Sequence, residues 1–136
     1  MITAVDTNVL LDVFLADATF GPWSKDALRR GMDEGRLVAC EVVWAEIAGL
    51  FPGEPAVKDA MTRLEIDFSN LEIEASFGAG AAWKAYRKRG GRRDRMIADF
   101  LIGAHANAHA DRLLTRDRGF YRRYFKNLRL LDPSRS

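Results

Sequence analysis

The residues of this chain that could do chemistry are four acids. Asp6 ends the run Ile2-Thr3-Ala4-Val5, whose apolar and β-branched make-up reads as a buried strand, and a helix-like apolar period starts at Val9. Asp117 stands just past a second such run, Arg112-Leu113-Leu114-Thr115. In open α/β sheets the carboxyl ends of the strands are where ligands bind. A carboxylate there either caps the helix that follows or ligates a cation. Glu46 lies within an amphipathic stretch, and Asp99 lies near the start of a nearly all-apolar one, Met96 to Ala110. A helix that is apolar all round is buried, and a buried carboxylate needs a partner or a metal. Glu46 by itself fits an exposed helical position better than a site.

If the first and fourth strands are neighbours, all four acids meet at one sheet edge. Carboxylates that close cannot all stay ionised without a cation. An all-oxygen set with no Cys or His selects hard ions, Mg2+ or Mn2+. Such a centre activates water and stabilises the charge that develops on a phosphodiester. The Thr115 hydroxyl is placed to orient one of these carboxylates or a metal-bound water.

The charge pattern suggests a polyanionic partner. Residues 1–83 hold 14 Asp/Glu and 6 Lys/Arg, a net of −8, and residues 84–136 hold 15 Lys/Arg and 5 Asp/Glu, a net of +10. Acids would do the chemistry while the basic half holds a nucleic-acid backbone. Arg92, Arg93 and Arg95, in a Gly-interrupted basic loop, and Arg116 and Arg118, beside Asp117, are the candidates for contacting that backbone. A solvated basic face with no partner is the competing explanation.

The elements that must position these acids alternate along the chain. Val9 to Leu15 reads as a first helix. Ser24 is placed to cap a second helix that ends at Glu34, with Gly35 as a left-handed terminator. Leu37 to Cys40 is a second strand. Glu41 to Phe51 is a third helix, with Val43, Ile47, Leu50 and Phe51 as its apolar stripe and Trp44 beside them. Ala56 to Ile66 is a fourth helix. Asn70 to Glu74 alternates and reads as a third strand. Ala75 to Lys88 is a helix with Phe77, Ala81 and Ala85 as packing residues. Arg112–Thr115 and Leu128–Leu131 complete the strands. Strands alternating with helices argue an α/β fold, a parallel sheet covered on both faces.

At 136 residues, 48% apolar and 29% charged, the sequence is that of one globular domain, residues 1–136. No run has the ~18 apolar residues of a membrane helix. The start shows no signal-peptide pattern, and the single Cys40 suits a reducing cytoplasm.

The ordered set Val5-Asp6-Thr7-Asn8, Ala45-Glu46-Ile47, Ala98-Asp99-Phe100-Leu101-Ile102-Gly103-Ala104-His105-Ala106 and Leu114-Thr115-Arg116-Asp117 with Phe120 resembles the PIN-domain family. Within it the likeness is to the VapC-type toxin ribonucleases of type II toxin–antitoxin pairs. The resemblance implies a three-layer α/β/α domain with a central, mostly parallel sheet of four to five strands. It implies Mg2+- or Mn2+-dependent endonucleolytic cleavage of RNA, with Asp6, Glu46, Asp99 and Asp117 as metal-site acids and Asn8 and Thr115 as polar supports. It also implies a cognate antitoxin, which would occupy a groove and the site, and a homodimer. One departure is visible: where the family often has a small hydroxyl residue before the Glu-bearing helix, this chain has Cys40 followed by Glu41.

Three other readings compete. His105 and His109 have the four-residue spacing of a zinc pair but lack a third ligand. A receiver-like phosphotransfer domain would need a phosphoacceptor after the third strand and a lysine near the fifth, and would leave Glu46 and Asp99 without a role. A metal-stabilised RNA-binding module that does not cleave is the non-enzymatic alternative.

Overall fold

The computed structural model describes residues 1–92 and 97–135. Five strands form one sheet in the order β3-β2-β1-β4-β5, and every neighbouring pair is parallel. The strands are β1 (Ile2–Val5), β2 (Arg36–Ala39), β3 (Ile66–Phe68), β4 (Arg112–Leu114) and β5 (Leu130–Leu131). The helices are α1 (Thr7–Phe14), α2 (Gly21–Glu34), α3 (Glu41–Ala48), α4 (Glu54–Arg63), α5 (Glu72–Lys88), α6 (Ile97–His109) and α7 (Arg118–Tyr124). The expected parallel α/β sheet, covered by helices, is therefore present with five strands. Among the described residues no helix is long and apolar enough to cross a membrane.

The chain order places β1 in the centre, and β4 pairs with it directly, Val5 opposite Leu114. This is the adjacency that the four-acid reading requires. The bond from Asp6 N–H to the Leu114 carbonyl, 2.9 Å, carries the pairing one residue beyond the strand end. Central parallel strands are buried on both faces, and β1 and β4 accordingly read as short apolar runs. Beneath the edge lies an aromatic cluster in which Phe100 meets Trp83, Tyr86, Phe120 and Tyr124 with ring centroids 4.9 to 5.8 Å apart. Edge-on packing of this kind adds to plain area burial.

Several element expectations are corrected. The third strand is Ile66–Phe68, and Asn70–Glu74 instead leads into α5. The alternation in Asn-Leu-Glu-Ile-Glu misleads because only Leu71 turns inward, while Ile73 is 62% exposed. Glu65 (φ 55°) ends α4 before the strand begins. Along α5, Ala75, Ala79 and Ala82 face the core, and Phe77 is exposed.

Ser24 does not cap α2. The helix starts at Gly21-Pro22 after Phe20, and Ser24 is buried inside it. Gly35 does end α2, but through a close approach rather than a left-handed turn. A Cβ there would lie 1.9 Å from the Met1 carbonyl oxygen. Helix α3 stops at Ala48, so Val43 and Ile47 join the core while Leu50 is exposed and Phe51 packs edge-on against Phe14. Asp94, Arg93 and Arg95 fall outside the described residues.

Candidate active site

Asp6 is the N-cap of α1, and its Oδ1 accepts the Thr7 N–H at 2.8 Å. Capping is only part of its role. Its Oδ2 accepts three further bonds, from Thr115 Oγ1 (2.7 Å), Tyr121 OH (3.1 Å) and Asn8 Nδ2 (3.3 Å). The donors come from α1, the end of β4 and α7, so the carboxylate is fixed from three directions. Asp6 is buried, and burial is the main reason its carboxyl titrates near 6 instead of 3.8. The Thr115 and Tyr121 bonds oppose that rise, and the Asp99 charge adds to it.

The other acids arrive from separate elements. Asp99 lies in the first turn of α6 and is partly exposed, so Asp6, not Asp99, is the buried acid of the set. Asp117 stands at the N-cap of α7, though its side chain does not cap that helix. Tyr121 is fully buried, and its hydroxyl is pushed well above the usual tyrosine range. Burial is the first cause, followed by the negative charges of Asp6, Asp99 and Asp117. Three carboxylates thus act electrostatically on one hydroxyl. Glu46 is on the exposed side of α3 but is tied in, because Thr7 Oγ1 donates to its Oε1 at 2.6 Å. Thr7 therefore bridges Asp6 through its N–H and Glu46 through its hydroxyl. Cys40 occupies the N-cap of α3 and makes no side-chain cap bond.

Thr115 bridges as well. Its Oγ1 donates to Asp6 and accepts the Asp117 N–H at 3.0 Å. Asn8 receives the Arg116 N–H on its Oδ1, 3.2 Å, which turns its amide nitrogen toward Asp6. The guanidinium of Arg116 faces away from this point. It grips buried Asp12 through Nε (2.7 Å) and Nη2 (3.0 Å), lies 4.0 Å over the Phe20 ring, and shares Asp12 with Ser24. Arg118 is ion-paired with Asp132. Of the described arginines proposed for RNA contact, Arg92 is exposed, whereas Arg116 and Arg118 are turned to carboxylates.

The donor chemistry suits a hard divalent cation. The acids are all oxygen donors, and a buried carboxylate in the field of a second one is what such a charge relieves. As the side chains stand, however, the described residues contain no group of three or more His, Cys, Asp or Glu positioned to hold an ion. The histidines serve elsewhere. His105 Nε2 bonds Ser69 Oγ at 2.9 Å, and His109 Nε2 donates to the Leu71 carbonyl at 2.8 Å. Both pin the connection between β3 and α5. Burial, with the neighbouring His109, holds the His105 imidazole down at about 4.

Comparison with known proteins decides the family. The PIN-domain profile matches residues 3–126. The chain belongs to the PIN-domain family. No curated protein matches the sequence. Solved structures match this PIN domain over most of its length. VapBC2 from Rickettsia felis, bound to a promoter DNA fragment, has a TM-score of 0.72 at 17% identity, covering 97% of this chain and 98% of that one. VapBC-1 from nontypeable Haemophilus influenzae has a TM-score of 0.72 at 18% identity, covering 99% and 100%. Mycobacterium tuberculosis VapC20, described as a sarcin-ricin loop cleaving toxin, has a TM-score of 0.59 at 17% identity, covering 93% and 98%. At these identities the likeness is one of fold.

Reading the sequence alone misses Tyr121, Thr7 and Asp12 in this PIN domain. Tyr121 follows Asp117 by four residues, one turn on, which was the available signal. Thr7 and Asp12 carry no comparable mark.

Proposed function

We propose that this PIN domain is a metal-dependent endoribonuclease, the toxin of a toxin–antitoxin pair. The observation that carries the proposal is Asp6: a buried carboxylate fixed by four donors at the carboxyl edge of the central strand, with Asp99 and Asp117 close enough to charge its surroundings. Asp6, Glu46, Asp99 and Asp117 would hold Mg2+ or Mn2+. When bound, the ion would supply Lewis acidity to a phosphodiester and lower the pKa of water. Thr115 and Asn8 keep the Asp6 carboxylate in one orientation. Thr7 keeps Glu46 beside it. The basic C-terminal half receives the RNA backbone, with Arg92, Arg93 and Arg95 making phosphate contacts, and Arg116 and Arg118 helping to shape the edge from their ion pairs. A cognate antitoxin and a second copy of the chain are the expected protein partners, and the cytoplasm the expected compartment.

The second reading is a metal-stabilised RNA-binding module that does not cleave. The net charge of +10 over residues 84–136 supports RNA binding under either reading. One experiment separates the two. Antitoxin-free protein is incubated with total RNA and Mg2+ or Mn2+, with and without EDTA. Discrete, chelator-sensitive fragments are the expected result. RNA binding that survives EDTA without cleavage would favour the binding module.

A further inference from the structure

Asp6 Oδ2 has two lone pairs and three donors, from Thr115, Tyr121 and Asn8. That oxygen is fully occupied. Among the described residues Oδ1 accepts the Thr7 N–H alone and keeps a lone pair. Of the three donors on Oδ2, Tyr121 is the one whose removal leaves the others in place, because Phe has the same ring. Tyr121 also sits on α7, the helix whose N-cap is Asp117. The bond from its hydroxyl therefore links the Asp6 carboxylate to the helix that carries Asp117 at its N-cap. Resting on the metal-site reading above, we propose that Tyr121 is a positioning residue. Its hydroxyl holds Asp6 Oδ2 and docks α7, so that Asp6 offers Oδ1 to a divalent cation with Asp117 in register.

The ring itself is held by Phe120 and Phe125, with centroids 5.0 and 6.3 Å away. A Tyr121→Phe change therefore removes one bond and keeps the packing, whereas Tyr121→Leu removes both. The hydroxyl's role is separable from the ring's.

The test is Mn2+ binding to the antitoxin-free full chain, followed by electron paramagnetic resonance. It is run at about pH 8, well above the titration of Asp6, so that protonation does not enter. Tyr121→Phe is expected to bind Mn2+ about tenfold more weakly, the usual scale for losing a group that orients a ligand, with the far-ultraviolet circular dichroism of the parent and a cooperative thermal transition that leaves it fully folded at the temperature of the assay. Wild-type affinity in a folded Tyr121→Phe protein would overturn the proposal while leaving the metal site standing. No Mn2+ binding by the unsubstituted chain would overturn the metal site and this inference with it. A second measurement needs no variant. Spectroscopically silent Mg2+, titrated into the wild-type protein, should give a near-ultraviolet tyrosine difference spectrum as Asp6 takes up the ion. Saturable Mg2+ binding with no such spectrum would count against Tyr121.

Discussion

Arg116 clamps Asp12 with two hydrogen bonds, 2.7 and 3.0 Å, across 104 residues of sequence. Its guanidinium stacks over Phe20, and its own N–H holds Asn8, which in turn reaches Asp6. A cation at the mouth of the site is therefore spent on structure. Removing it leaves Asp12 buried with Ser24 as its remaining side-chain partner among the described residues. Arg116→Ala should cost about 2–4 kcal/mol in urea unfolding, the range for breaking a well-buried pair less some screening at the half-exposed guanidinium. The salt dependence of RNA binding should stay unchanged. A drop in its slope of about one would instead mark Arg116 as a phosphate contact.

Thr115 joins Asp6 to the backbone of Asp117 through one hydroxyl. Thr115→Ser keeps that hydroxyl and should retain most activity. Thr115→Val keeps the shape but leaves the Asp117 N–H without this acceptor and Asp6 with one donor fewer. It should lower cleavage about 10- to 100-fold, the scale for supports of metal ligands, and cost about 1–3 kcal/mol of stability. Equal rates for the Ser and Val variants would contradict this role.

Two buried groups make opposite demands on pH. Asp6 titrates higher in the folded state than its ordinary 3.8, at about 6, so acidification through that window favours the fold. His105 titrates lower than its ordinary 6.5, at about 4, so its contribution is complete above pH 6.5 and is lost as pH falls through the same window. The two should largely cancel. In the presence of chelator, Asp6→Asn should lose stability on acidification more steeply than the parent, by up to ~1.4 kcal/mol per pH unit. His105→Gln should lose it less steeply. Urea midpoints at about pH 7 and about pH 5 decide the matter, and parallel pH profiles for all three proteins would contradict it.

Thr7 tethers Glu46 from across 39 residues. Because Glu46 is on the exposed side of α3, Thr7→Val should change stability by no more than about 1 kcal/mol. It should still reduce cleavage, since Glu46 would lose the hydroxyl that ties it to the start of α1. An unaltered rate would place Glu46 outside the machinery.

Much of this arrangement can be read from residue patterns, and the exceptions have physical reasons. Apolar runs at Ile2–Val5 and Leu37–Ala39 announce central parallel strands because both their faces are buried. Asp6 and Asp117 follow from strand ends, since β1 and β4 are neighbours. The edge strand β3 does not stand out: three residues, two of them exposed, leave no period to detect. Tyr121 resembles any core aromatic, because its partner Asp6 is 115 residues away. Arg116 resembles a surface cation for the same reason. The apolar neighbours of Asp99 predict a buried acid, yet it is partly exposed in the first turn of α6.

The central claim is that Asp6 and its companion acids share a divalent ion. Its most direct measurement is anomalous diffraction from crystals of the antitoxin-free protein soaked in Mn2+. The account expects a peak about 2.0–2.1 Å from Asp6 Oδ1, with oxygens of Glu46, Asp99 and Asp117 among the ligands, and no peak in Asp6→Asn crystals. A peak elsewhere, or none at saturating Mn2+, would contradict it.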